Sequence, residues 1–153
     1  MRKIKVGVFS FTCCEGCTVV FIEILNKKYD EYMKKIDIVN MRTLRTSEQI
    51  KPMDIAFVEG AISTESEVRK LKEIRKKTKK LIALGSGATN GYPSNQRNKF
   101  SAEKKKLILP LIEKFHQIKT IEPISKFVKV DDNIEGCPVS EQDLINKIEG
   151  YLK

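Results

Sequence analysis

Four largely apolar runs, Ile4–Phe9, Ile36–Met41, Met53–Val58 and Lys80–Leu84, recur along the chain with helix-patterned or polar stretches between them. No other feature restricts the fold as much. Strands that alternate with helices need crossover connections, so the pattern predicts an α/β domain with a mostly parallel sheet of four to five strands and right-handed crossovers. Met53–Val58 is nearly continuous in apolar residues, as expected of a strand covered on both faces. In such sheets the loops at the carboxyl ends of the strands gather along one edge, where ligands bind.

The intervening segments fill out the expectation. Val20, Ile24, Leu25, Tyr29 and Tyr32-Met33 fall at helical spacing and predict one helix over 19–32. Residues 43–52 form a polar connection with room for a short helix. A second helix starts near Thr64, with Ser63 or Thr64 as its cap, acids in its first turn and Lys/Arg in its last. Gly85–Asn98 reads as a long loop of Gly and small polar residues, and loops of that length are usually functional. Ser101–Ile118 reads as a helix interrupted or kinked by Pro110. A short strand is expected at Lys126–Val130, then a loop over Asp131–Pro138 and a terminal amphipathic helix over Ser140–Leu152. No repeat, low-complexity tract or linker divides the chain, so residues 1–153 are expected to form a single domain.

Composition excludes several classes. No apolar run nears the ~20 residues needed to span a bilayer. Met1-Arg2-Lys3 leads straight into a strand with no signal-peptide core, so a cytoplasmic protein with reduced thiols is expected. The formal net charge is +9, with a dense basic run over Arg69–Lys80. No nucleic-acid-binding motif and no interleaved aromatics accompany that run, so nucleic acid is not expected as a partner. The charge reads as a solvated surface or as a docking face for an acidic partner.

Three of the four cysteines fall in Ser10-Phe11-Thr12-Cys13-Cys14-Glu15-Gly16-Cys17, where the first strand hands over to a helix. The fourth, Cys137, lies in the last loop of the alternation, which the parallel topology brings to the same edge. A C-x-x-C such as Cys14–Cys17 has three common readings. A thioredoxin-like dithiol needs neither Cys13 nor Cys137 and requires a lowered thiol pKa. A Cys₄ zinc site is awkward with tandem ligands. An iron–sulfur cubane takes four thiolates spread over a larger body, so adjacent Cys13 and Cys14 can reach different irons. The cubane is the favoured reading, although Cys13 also fits as a packed apolar residue. Glu59, at the end of the third strand, reads first as a cap for the helix that follows it. Gly85-x-Gly87 lacks P-loop spacing, and the lone His116 reads as a surface or packing residue.

Taken together, the four loops resemble the small subunit of [NiFe] hydrogenases and the related 20 kDa subunit of respiratory complex I. Cys14-Glu15-Gly16-Cys17 matches the family's C-x-x-C, and Val58-Glu59-Gly60-Ala61 matches its V-E-G stretch. Ala83-Leu84-Gly85-Ser86-Gly87-Ala88, followed by Gly91, Pro93 and Arg97-Asn98, matches A-L-G-x-C-A and its loop. Gly136-Cys137-Pro138 matches G-C-P-P.

The resemblance implies a flavodoxin-like three-layer αβα domain holding one proximal-type [4Fe-4S] cluster. It further implies electron relay to or from a large hydrogenase-like subunit, with further redox subunits as partners and membrane association only through them. Glu59, Gly85, Gly87, Gly136 and Pro138 are the expected surroundings of the cluster. One departure stands out: Gly87 occupies the position of the family's third cysteine. The complex I branch uses adjacent cysteines in its first loop, so Cys13, Cys14, Cys17 and Cys137 are the implied ligands. The alternatives are a structural or assembly subunit with zinc or no metal, and a flavin-binding redox domain.

Overall fold

The computed structural model describes residues 2–44 and 49–153. In chain order its elements are β1 (Ile4–Ser10), α1 (Gly16–Lys27), α2 (Tyr29–Lys35), β2 (Ile36–Met41), β3 (Met53–Glu59), β4 (Ile62–Thr64) and α3 (Glu65–Lys77). There follow β5 (Thr78–Leu84), α4 (Gly85–Asn90), α5 (Ala102–Lys114), β6 (Gln117–Glu122), β7 (Asp132–Ile134) and α6 (Glu141–Tyr151), with 3-10 turns at Ser94–Lys99 and Ile124–Lys126. The main sheet runs β2-β1-β3-β5-β7, and every neighbouring pair is parallel. Counting only its own strands along the chain, this is the flavodoxin-like order, with the topological switch point between β1 and β3. The predicted α/β class and three-layer arrangement therefore hold. Strands β4 and β6 form a separate antiparallel pair beside it.

The period of two along each strand divides the core into two layers. Ile55 and Phe57 face one side, where they meet Phe21 and Ile24 of α1 and Leu144 and Ile148 of α6. Ala56 and Val58 face the other, with Val68, Leu71 and Ile74 of α3 and Ala88 of α4. Phe21 meets Phe57 edge-on with centroids 5.2 Å apart, a favoured aromatic geometry. Removing a ring as buried as Phe57 would cost about 3–5 kcal/mol. Helix α3 begins with a full capping box: the Thr64 hydroxyl accepts from Glu67 N, and the Glu67 carboxylate accepts from Thr64 N.

Several segments differ from expectation. The helix predicted over 19–32 is two helices, because Lys28 leaves the helical region (φ −112°) and redirects the chain toward β2. The long loop at 85–98 is instead α4 plus a 3-10 turn. Strand β5 passes directly into α4, and Gly91 (φ 83°) ends it. Small side chains that suggested a loop serve close packing here, with Ala88 fully buried. Helix α5 runs on through Pro110 and stops at Lys114 rather than Ile118. The next residues form β6, whose polar sequence hid it. No strand forms over 126–130, because Phe127, Val128 and Val130 pack against the second core. The fifth parallel strand is β7, held in register by Asp131 N donating to Leu81 O (2.8 Å) and Leu81 N donating to the Asp131 carboxylate (2.8 Å). In the stretch 43–52, where the sequence leaves room for a short helix, the described residues form none, and 45–48 lie outside the described residues. Among the described residues no helix is long and apolar enough to cross a membrane.

Candidate metal centre

The loop after β1 is built by its neighbours across the switch point. Thr12 N donates to Ala61 O (3.1 Å) and Ala61 N donates back to Thr12 O (3.0 Å). The Thr12 hydroxyl pairs with Ser63 Oγ (2.6 Å) and reaches Glu67 Oε1 (3.1 Å), so the residue before Cys13 is fastened to the start of α3. Glu15 then takes a left-handed conformation (φ 60°) at the N-cap of α1 without a side-chain cap of its own.

That cap comes from β3. The Glu59 carboxylate, 3% exposed, accepts from Cys17 N (3.1 Å), Thr18 N (2.9 Å) and Thr18 Oγ1 (2.6 Å). Glu59 is thus a cap, as its sequence context suggested, but for α1 rather than for the helix that follows it. A buried carboxylate meets the positive end of a helix dipole, which is a favourable pairing. The hydroxyls of Ser10 and Thr18 share a further hydrogen bond (3.2 Å).

All four cysteines, each free, line one cavity of about 350 Å³ at the carboxyl edge of the sheet. Glu59, Gly85, Gly87, Gly136 and Pro138 line it too. Sequence thus identified the walls but missed Tyr92 and Ser94 on the far side. Their only signal was membership of the Gly-rich stretch. His116 is exposed and does not line the cavity. A cavity of about 310 Å³ at the opposite end of the strands is lined by Arg2, Lys79 and Asp54, with Asp54 paired to both cations, and it is lined by no thiol.

Two close approaches define the shape of the thiol cavity. Gly85 has φ +79°, and a Cβ there would lie 2.5 Å from Cys17 Sγ, so only glycine lets α4 start beside that thiol. A Cβ at Gly87 would lie 3.0 Å from Gly60 Cα and 3.3 Å from Ala61 N. Gly60 in turn packs against the Cys13 side chain. The backbone at Gly60 therefore separates Gly87 from Cys13. The Cys137 loop is tied to α4 by Ser86 N donating to Gly136 O (2.8 Å).

Cys13 and Cys17 are not tuned as nucleophiles. Burial pushes the Cys17 thiol up to about 12, and the Glu59 charge adds to the rise. Cys13, open on one side, is pushed up to about 11 by desolvation of its inner side and then by Glu59 and Glu15. A dithiol oxidoreductase lowers a thiol at such a helix start, whereas here the Glu59 carboxylate caps that end and adds to the rise of Cys17. Among the described residues no three His, Cys, Asp or Glu side chains stand close enough to grip one metal ion. The thiols ring a cavity rather than meet at a point.

Comparison with known proteins gives a consistent picture. Residues 14–151 match the family described as NADH ubiquinone oxidoreductase, 20 Kd subunit. The chain is 33% identical over 157 residues to coenzyme F420 hydrogenase subunit gamma of Methanosarcina barkeri, covering 99% of this chain and 55% of that protein. It is 26% identical over 149 residues to sulfhydrogenase 2 subunit delta of Pyrococcus furiosus, covering 97% and 62%. The chain thus spans little more than half the length of these relatives. In fold it is similar to a chain in a crystal structure of an NAD+-reducing [NiFe]-hydrogenase in the H2-reduced state, with a TM-score of 0.86 at 23% identity, covering 99% of this chain and 92% of that one.

Proposed function

Because the chain belongs to the family of the NADH ubiquinone oxidoreductase 20 kDa subunit, we propose that it is an electron-transfer subunit whose thiol cavity holds one [4Fe-4S] cluster beside a large hydrogenase-like subunit. The observation that carries the reading is the convergence of Cys13, Cys14, Cys17 and Cys137 on one cavity from the first and last loops of the sheet. Four thiolates spread around a space suit a multi-iron body better than a single zinc ion. When bound, such a cluster supplies one-electron transfer.

The polypeptide's own part is to hold and shield. Cys17 stands in the first turn of α1 with its amide held by Glu59, Cys14 lies just before that helix, and Cys137 is carried by the loop tied to α4. Cys13 takes the place of the ligand that Gly87 cannot supply. Glu59, Gly85, Gly87, Gly136 and Pro138 form the walls, and the small residues among them let backbone approach the thiols closely. Hydrogen bonds and burial around thiolates tune the potential of what they bind. The large subunit is proposed to dock over this edge, where Cys13, Cys14 and Cys137 are exposed.

Anaerobic purification with iron and acid-labile sulfide analysis tests the reading. About four irons and four sulfides per chain are expected, with absorption near ~400 nm. Zinc without sulfide, or a released flavin, would overturn it. A Cys13→Ser variant is expected to hold fewer than four irons. A full complement in that variant would remove Cys13 from the ligand set.

A further inference from the structure

Helix α5 is anomalous. None of its residues is buried, yet it carries Leu107, Ile108, Leu109, Leu111 and Ile112 in succession around Pro110. Ile108 and Ile112 are half-buried. Leu107 is 77% exposed, Leu111 55%, Leu109 41%, and Phe115 just beyond the helix 58%. At about 100° per residue, Leu107 and Leu111 lie on one flank of the Ile108–Ile112 seam, and Leu109 lies on the other. The ridge facing outward between the flanks carries Glu103, Lys106, Pro110, Glu113 and Lys114. The exposed leucines thus lie on two flanks separated by a mostly charged ridge. Leu107, Leu111 and Phe115 recur every four residues along one flank, and exposed apolar side chains grouped in this way mark an interaction site.

The charges say what kind of partner fits. Residues 99–119 hold six lysines against two glutamates. Lys104, Lys105 and Lys106 crowd the first turns of α5, the end at which a helix favours acids. None of the three forms an ion pair among the described residues. Lys104 only rests over the Phe100 ring, at 5.9 Å. A placement that works against the local structure and gains no internal partner points outward.

We propose that α5 is a docking helix for a protein partner whose groove clasps both apolar flanks and carries carboxylates around its rim. A second copy of this chain would set one lysine collar against another, which is repulsive. A flat anionic lipid surface would meet the polar ridge first and could cover only one flank at a time. The surface is distinct from the thiol cavity, so the proposal stands or falls apart from the cluster assignment.

The test places the photo-crosslinking residue p-benzoylphenylalanine at position 107 or 109 of the full chain in its native cells, with position 29 on α2 as the control. Adducts are identified by peptide sequencing. Positions 107 and 109 are expected to capture the same polypeptide, through peptides richer in Asp and Glu than in Lys and Arg. A K104E/K105E/K106E chain, whose new acids suit the helix end, is expected to lose about tenfold in adduct yield while its iron content and far-UV circular dichroism stay those of the parent. Adducts with lipid, with a second copy of the chain or with basic peptides would overturn the proposal. So would capture no greater than at position 29, or a yield that the charge reversal leaves unchanged.

Discussion

Replacing Gly87 by cysteine restores the family's pattern on paper, but the backbone around position 87 lies too close to accept a side chain without shifting. A Cβ at position 87 would stand 3.0 Å from Gly60 Cα and 3.3 Å from both Gly60 C and Ala61 N. These neighbours are backbone atoms and cannot rotate away. Ala61 is bonded to Thr12 in both directions, and Gly60 sits in a left-handed turn against Cys13. Overpacking of this kind costs about 1–3 kcal/mol. Relief of glycine's poor helix propensity returns at most about 1 kcal/mol, so the clash wins. Urea denaturation of the reduced, metal-free chain should show Gly87→Ala and Gly87→Cys each destabilised by about 1–2 kcal/mol. The C13S/G87C chain, reconstituted anaerobically, should still fall short of about four irons per chain. Variants at position 87 as stable as the parent, together with a full iron count in C13S/G87C, would refute the packing argument, whereas the assignment of Cys13 is decided by the iron count of C13S alone.

Glu59→Gln keeps the volume but turns a donor toward α1 and removes the charge that faces three donors. A loss of about 2 kcal/mol in the metal-free chain is expected, and a change below about 0.5 kcal/mol would show that the cap is dispensable. Thr64→Ala removes half of the capping box of α3 and should cost about 1 kcal/mol by urea midpoint; an unchanged midpoint would place the start of α3 under other control. Burial pushes the Asp131 carboxyl up, but the Leu81 amide and the Arg75 guanidinium outweigh it and hold it below the usual carboxylate range. Its stabilising contribution is therefore complete above the ordinary aspartate pKa of about 3.9 and is lost as pH falls through the lower folded value. Asp131→Asn should flatten the fall in stability below about pH 4, and identical acid profiles for the two chains would rule out this residue as a source of the fall.

The fold was legible where burial dictates residue type. Met53–Val58 had to be apolar on both faces because it lies at the centre of the sheet, and the helix start at Thr64 was written in its own capping residues. Elements at the margin were not legible. Strand β6 shows only Ile118 and Ile121 among polar residues, since it pairs with β4 alone at the periphery. Helix α4 is Gly-Ser-Gly-Ala-Thr-Asn, in which all but Ala88 locally favour a loop, and tertiary packing on β3 decides otherwise. At the site, thiols advertise themselves by chemistry and spacing. The partner of Glu59 does not, because it depends on β1 and β3 being neighbours, which no local pattern encodes.

Strand β7 is three residues long and lies at the edge of the sheet, bonded to β5 alone. Three residues beyond its end stands Cys137, whereas Cys13, Cys14 and Cys17 hang from the central strands and from Glu59. The thiol cavity accordingly has a hard wall and a soft one. Edge segments with few pairings open at much lower free energy than the centre of a sheet, so the cavity can part on the Cys137 side while the other three thiols stay in place. A body bound by all four thiols would join this edge strand to the two central ones, β1 and β3.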